Sequence, residues 1–201
     1  MTASLFEIEG LRYLDRGPVD LVVEPGVCVS VTGVSGSGKT LLLRALADLD
    51  PHEGRVCLGG RPCAEMPAPE WRCRVGMLPA ESAWWADTVA PHFPADLSGD
   101  ALVAYGFEPD ALTWSVQRLS TGERQRLGIA RLLARAPEAL LLDEPTASLD
   151  PDNVERMEGL LSQYRVERAA PVLWVSHAPD QAERVATRHF TLRDGRLVEG
   201  R

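Results

Sequence analysis

Lysine is almost missing from this 201-residue chain: Lys39 stands alone, and every other basic residue is an arginine. Lysine at one position of an arginine-using chain points to a place where arginine cannot substitute. The 21 basic residues face 29 acidic ones, for a net charge of −8, and no basic patch shows in the chain order. Binding along a phosphate backbone needs many cations on one face, so nucleic acid is not an expected partner. Long hydrophobic runs are missing too. Nowhere do about 18 apolar residues follow one another, and the N-terminus has no charged region leading into an apolar stretch of signal-peptide length. The expectation is a cytoplasmic chain that does not span a membrane. Cys28, Cys57, Cys63 and Cys73 form neither CxxC pairs nor a regular framework, and a chain this long needs no disulfide staples. They are expected as reduced, buried small hydrophobes.

What is present reads as α/β. Short β-like runs at 5–8, 21–23 and 27–31, punctuated by Gly and Pro, predict small antiparallel strands in an N-terminal β lobe. A helical pattern starts at Thr40, a short strand is expected at 56–58 and another at 74–78. The stretch from about Ser82 to Glu108 is rich in Pro, Ala, Gly and Asp without clean periodicity, as an inserted subdomain would be. Leu127, Ala130 and Leu133 then mark a helix and 139–142 a buried strand. Asp150-Pro151 caps a further helix with Val154, Met157, Leu161 and Tyr164 inward. A strand at 172–175, a short helix near 180–185 and a hairpin turning at Asp194-Gly195 complete the chain. Strands alternating with helices imply a mainly parallel sheet flanked by helices, with an antiparallel edge. The expected division is a single domain, with 1–81 and 136–201 as core and 82–135 as a small helical subdomain.

Three segments carry chemistry. Gly33-Val34-Ser35-Gly36-Ser37-Gly38-Lys39-Thr40 matches GxxxxGK[ST] between a strand and a helix. Its glycines let backbone N–H groups close around a β-phosphate, Lys39 supplies charge for the β- and γ-phosphates, and the Thr40 hydroxyl suits Mg²⁺. The run Leu140-Leu141-Leu142-Asp143-Glu144 sends a buried strand out to two carboxylates at its C-terminal end. Asp143 is the candidate for holding Mg²⁺ and Glu144 the candidate base for an attacking water. The third segment, Leu119-Ser120-Thr121-Gly122-Glu123-Arg124-Gln125-Arg126, opens a helix with a small polar start that offers a second phosphate-binding terminus. One ATP cannot occupy both ends within one small subunit.

In these motifs and their order the chain resembles the nucleotide-binding subunits of ATP-binding cassette (ABC) systems over essentially its whole length. The resemblance implies a P-loop ATPase core and a head-to-tail homodimer or pseudo-dimer, with Mg-ATP at 33–40 of one copy completed by Ser120 and Gly122 of the other. It implies a separate integral-membrane permease, which would hold the chain on the inner face of the cell membrane and select the cargo. His177 matches the family's switch histidine, which would touch the γ-phosphate and Glu144. Asp150 resembles the residue that crosses the dimer interface, and Tyr13 the aromatic that stacks on adenine. Two positions depart from the pattern: Ala80 stands where a glutamine is usual, and Thr121 replaces the commoner glycine. Trp84, Trp85 and Trp71 are candidates for a permease anchor or for packing within the insert. Residues 85–89 and 173–177 resemble compact bacterial subunits of metal-export type. A non-transport ABC ATPase that drives assembly of a complex is the alternative from another class.

Overall fold

The computed structural model describes residues 4–200; the outer ends of the expected core, 1–3 and 201, lie outside the described residues. The chain begins with the hairpin β1 (Phe6–Tyr13) and β2 (Arg16–Val23), followed by β3 (Cys28–Thr32). Helix α1 (Lys39–Leu46) leads to β4 (Glu53–Leu58) and the short β5 (Arg61–Pro62), then α2 (Ala68–Arg74) and β6 (Val75–Leu78). After a run of short 3-10 turns come α3 (Thr121–Ala134), β7 (Ala139–Asp143), α4 (Pro151–Arg168) and β8 (Val172–Val175). The chain closes with α5 (Pro179–Val185), β9 (Arg188–Arg193) and β10 (Arg196–Glu199).

Two sheets result. The N-terminal lobe is antiparallel in the order β2-β1-β4-β5, and the core sheet runs β10-β9-β3-β8-β7-β6 with only β10 antiparallel to its neighbour. Residues 27–31 were expected within the antiparallel lobe, and here the structure differs: β3 lies at the centre of the parallel sheet, between β8 and β9. Cys28, Val29, Ser30 and Val31 are all buried, so both faces of the strand are covered, as they are in a parallel sheet between two layers. Alternation then sorts the core. Leu141, Leu173 and Val175 face the lobe and α1, where they join Phe6, Leu42 and Leu46. Leu140, Leu142, Val172 and Trp174 face the other way, onto Ile129 of α3 and Met157 and Leu161 of α4.

Helix α4 starts as its sequence dictates, with the Asp150 carboxylate accepting from the Asn153 N–H at 3.0 Å and Pro151 in the first turn. Of its expected inward stripe, Met157 and Leu161 are buried, while Val154 and Tyr164 are only partly covered. Between β6 and α3 the chain is helical in short 3-10 turns, Ala90–His92, Gly99–Tyr105, Pro109–Thr113 and Val116–Arg118. Pro91, Pro94 and Pro109 and the left-handed Gly106 keep these turns from merging into longer helices. They close over their own apolar cluster, Val89, Phe93, Leu102 and Phe107, which packs on Leu127 and Ala130 of α3. Cys28, Cys57 and Cys63 are buried as expected, but Cys73 is exposed on α2. Trp71 is fully buried, and its indole N–H donates to the Leu46 carbonyl at 2.9 Å. It belongs to the core and has no surface to offer a permease. Trp71→Ala should lower the unfolding free energy by about 3–5 kcal/mol, whereas truncating the 65%-exposed Trp85 should change it by no more than about 0.5 kcal/mol. Urea denaturation of both variants measures the contrast.

Candidate functional site

The site forms where the core strands end. β3 stops at Thr32, and the chain from Gly33 to Gly38 turns back into α1 with Ser37 N–H on the Val34 carbonyl at 3.1 Å. Gly33, Gly36 and Gly38 all take positive φ, at 150°, 77° and 102°, which side chains with a Cβ rarely adopt. At Gly33 a Cβ would also lie 2.8 Å from the Leu192 carbonyl oxygen. Lys39 opens α1 and is buried, with its Nζ donating to the Gly33 and Val34 carbonyls at 2.8 and 3.2 Å. The ammonium therefore lies in the concavity of the loop. Burial lowers its pKa, and the nearby Glu144 and Asp143 carboxylates pull the other way.

β7 and β8 bring the other groups to the same edge. Asp143 pairs with Val175 in register, Glu144 N–H donates to the Val175 carbonyl at 3.1 Å, and Ser176 N–H to that of Val31 at 3.4 Å. Asp143 Oδ2 accepts from the Thr40 hydroxyl at 2.7 Å, joining the glycine loop to the carboxylate strand. This hydroxyl and carboxylate are hard oxygen donors of the kind Mg²⁺ takes alongside substrate phosphates. Ser37 Oγ and Glu144 Oε1 are buried without a hydrogen-bond partner among the described residues, as fits a place that receives a polar ligand. Glu144 Oε1 lies 3.3 Å from His177 Nε2, an ion-pair distance without the geometry of a hydrogen bond. Burial raises the Glu144 pKa, and Asp143 adds to this, while His177 and Lys39 oppose it. Glu144 is also left-handed, with φ of 49°, a conformation that persists only where the surroundings enforce it.

That enforcement comes from residues to which the sequence assigned no role, Gln125 within the segment 119–126 among them. Gln125, buried on α3, donates from Nε2 to the Glu144 carbonyl at 2.7 Å and accepts from the Ser148 N–H at 3.0 Å. Gln181 donates to Thr146 Oγ1 at 2.6 Å and accepts from Ser176 Oγ at 2.8 Å, so it ties the loop carrying His177 to the loop after Glu144. The sequence signal for either is no more than a glutamine in a helix, because its partners are remote in the chain. Ser120 caps α3, accepting from Glu123 N–H while Glu123 returns a bond to Ser120 N–H. Ser120 and Thr121 are exposed and Gly122 partly so, and a Cβ on Gly122 would meet the Ser148 carbonyl at 3.2 Å.

Tyr13 is where the structure overturns the expectation. It is 2% exposed and packed in the core under the lobe, with burial pushing its phenol up to about 12, so its ring offers no free face to a base. Ala80 and Glu81 are exposed after β6.

A glycine loop between a parallel strand and a helix, with lysine inside and two carboxylates on the next strand but one, is the frame of a P-loop nucleoside-triphosphate-binding protein. The pattern of the ABC transporter family matches residues 17–147, and the chain belongs to this family. ATP binding follows from that membership. It is 37% identical over 193 residues to Protein STAR1 of Oryza sativa subsp. japonica, covering 90% of this chain and 56% of that one. A methionine import ATP-binding protein MetN of Xanthomonas oryzae pv. oryzae is 34% identical, with 96% of this chain and 63% of that one covered. The aliphatic sulfonates import ATP-binding protein SsuB 2 of Frankia alni is 38% identical, covering 96% and 78%. This chain thus spans little more than half the length of the first two relatives. Among solved structures a bacterial Atm1-family ABC exporter with ATP bound shares the fold, with a TM-score of 0.85 at 23% identity over 98% of this chain and 38% of that one. If Gln125 holds Glu144 in place, Gln125→Leu should leave nucleotide affinity unchanged in a titration and slow turnover about tenfold or more. Its stability should drop by about 1–3 kcal/mol from the partners left unpaired, as read by urea denaturation.

Proposed function

We propose that the chain is the ATP-hydrolysing subunit of an ABC transporter, working with a separate membrane permease, and that two copies close head to tail around ATP. The carrying observation is the meeting at one sheet edge of Lys39 in its loop, the Thr40–Asp143 pair and the Glu144–His177 pair. Among the described residues no helix is long and apolar enough to cross a membrane, so transport in this reading needs a membrane component. The names of the relatives differ in cargo, methionine in one and aliphatic sulfonates in another, and they do not select a substrate for this chain.

In the proposed reaction Lys39 and the loop N–H groups hold the triphosphate. Mg²⁺ held by Thr40 and Asp143 would neutralise charge developing on the phosphoryl oxygens. Glu144, 3.3 Å from His177, takes the proton of the attacking water through its unpartnered Oε1, and His177 orients that carboxylate and stabilises its charge. Ser120 and Gly122 at the exposed start of α3 would complete the phosphate site of a second copy, since a helix N-terminus favours anions. Asp150, an N-cap within its own chain, would face the partner copy as well. For the permease, the proposed seat is the groove of about 210 Å³ beside Trp85, Pro79 and Arg131. Trp84 is half buried against the subdomain cluster and supports that seat from behind. Ala80, next to Pro79, offers only a methyl group, so coupling would pass through Glu81 or the backbone.

Glu144→Gln should keep ATP binding and slow hydrolysis by about 10² to 10⁴; near-normal turnover contradicts the assignment. Lys39→Ala should weaken ATP binding itself, and unchanged affinity by titration counts against the loop's role. Hydrolysis requires the carboxylate form of Glu144. Because the pKa of that group is raised, activity should rise with pH through a limb above the ordinary glutamate value of about 4.3, and a limb at or below that value rejects Glu144 as the base. Tagged Glu144→Gln protein, captured with Mg-ATP from detergent-solubilised cells and analysed by mass spectrometry, should hold a stoichiometric multi-spanning membrane protein. Soluble partners alone would favour an assembly ATPase instead.

A further inference from the structure

Tyr13 lies in the core and leaves no aromatic ring beside the glycine loop among the described residues that line the neighbouring cavity. An open cavity of about 980 Å³ adjoins the glycine loop, between the β1–β2 turn, residues 33–37 and the Asp194-Gly195 turn, and no aromatic residue lines it. Two arginines line it, Arg193 exposed on β9 and Arg16 at the start of β2, and Arg16 is the one bonded to the phosphate loop. Its Nε donates to the Ser37 carbonyl at 3.3 Å and its Nη1 to the Asp15 carboxylate at 2.6 Å. Two glycines make the room for it. A Cβ at Gly38 would lie 2.6 Å from Arg16 Nε and 2.8 Å from its Cδ, and one at Gly195 would lie 2.9 Å from Arg16 Cα. The arginine is therefore seated between the phosphate loop and the C-terminal hairpin, with its side chain still 25% exposed.

A guanidinium is planar and stacks on aromatic faces, bases included. Its charge here is offset by Asp15, which weakens it as a phosphate ligand and leaves its plane as the useful surface. We propose that Arg16 is the platform on which the purine base of the nucleotide stacks, in place of an aromatic ring. This rests on the reading of Gly33 to Thr40 as the triphosphate site. Stacking tolerates any base because every base has a π face, so ATP and GTP should bind with affinities within a few-fold of each other.

Isothermal titration of the whole chain in Mg²⁺ with ATP, GTP and inorganic tripolyphosphate tests this. Arg16→Ala should weaken ATP and GTP by roughly tenfold or more and leave tripolyphosphate unchanged. Arg16→Tyr, which restores a plane without charge, should recover ATP affinity, and Arg16→Lys, which restores charge without a plane, should not. Recovery by lysine and not tyrosine, an equal loss for tripolyphosphate, or no loss on Arg16→Ala each overturns the platform. Failure of the unaltered chain to bind both ATP and tripolyphosphate would instead overturn the triphosphate reading beneath it.

Discussion

The chemistry of this molecule depends on the register of three adjacent parallel strands. β3, β8 and β7 end side by side because Val31 pairs with Val175 and Val175 with Asp143, and the ladder continues one step further through the N–H groups of Ser176 and Glu144. The glycine loop hangs from the first strand, His177 from the second and the two carboxylates from the third. A slip of one residue in β7 would send Asp143 to the opposite face and part it from Thr40. Burial on both faces prevents that slip. Leu140 and Leu142 fill one layer and Ala139 and Leu141 the other, and exchanging them would place each in a cavity shaped for its neighbour.

Precision at the strand ends comes from polar side chains rather than from the sheet. Glu144 keeps its left-handed backbone between a hydrogen bond from its N–H to β8 and one to its carbonyl from Gln125 of α3. Since α3 begins at the exposed Ser120 cap, one helix links the surface proposed to meet a second copy with the backbone of the proposed base. Movement of α3 on closure would be felt at Glu144 without any intervening flexible segment.

Much of this was legible in the sequence, and what was not has identifiable physical causes. The glycine loop, the carboxylate strand, the polar start of the helix after Leu119, the cap at Asp150 and the Asp194-Gly195 turn are local features whose residues specify their own geometry. Tyr13 was misread although a signal was present: it shares strand alternation with Leu11, and Gly10 at φ 58° marks the register shift that brings both inward after Phe6 and Ile8. Residues 27–31 were recognisable as a strand but not as a parallel one, because an apolar run does not say which partner covers it. Gln125 and Gln181 bond partners far away in the chain, as Arg16 does at Ser37, and only folding shows them.

In the proposed function two copies complete each other's nucleotide sites. Sedimentation velocity of the Glu144→Gln protein with and without Mg-ATP addresses it most directly, repeated with Ser120→Arg added. A monomer should become a dimer on adding nucleotide, and should stay a monomer when Ser120→Arg is present. A monomer at saturating ATP, or a nucleotide-driven dimer indifferent to Ser120→Arg, would contradict it.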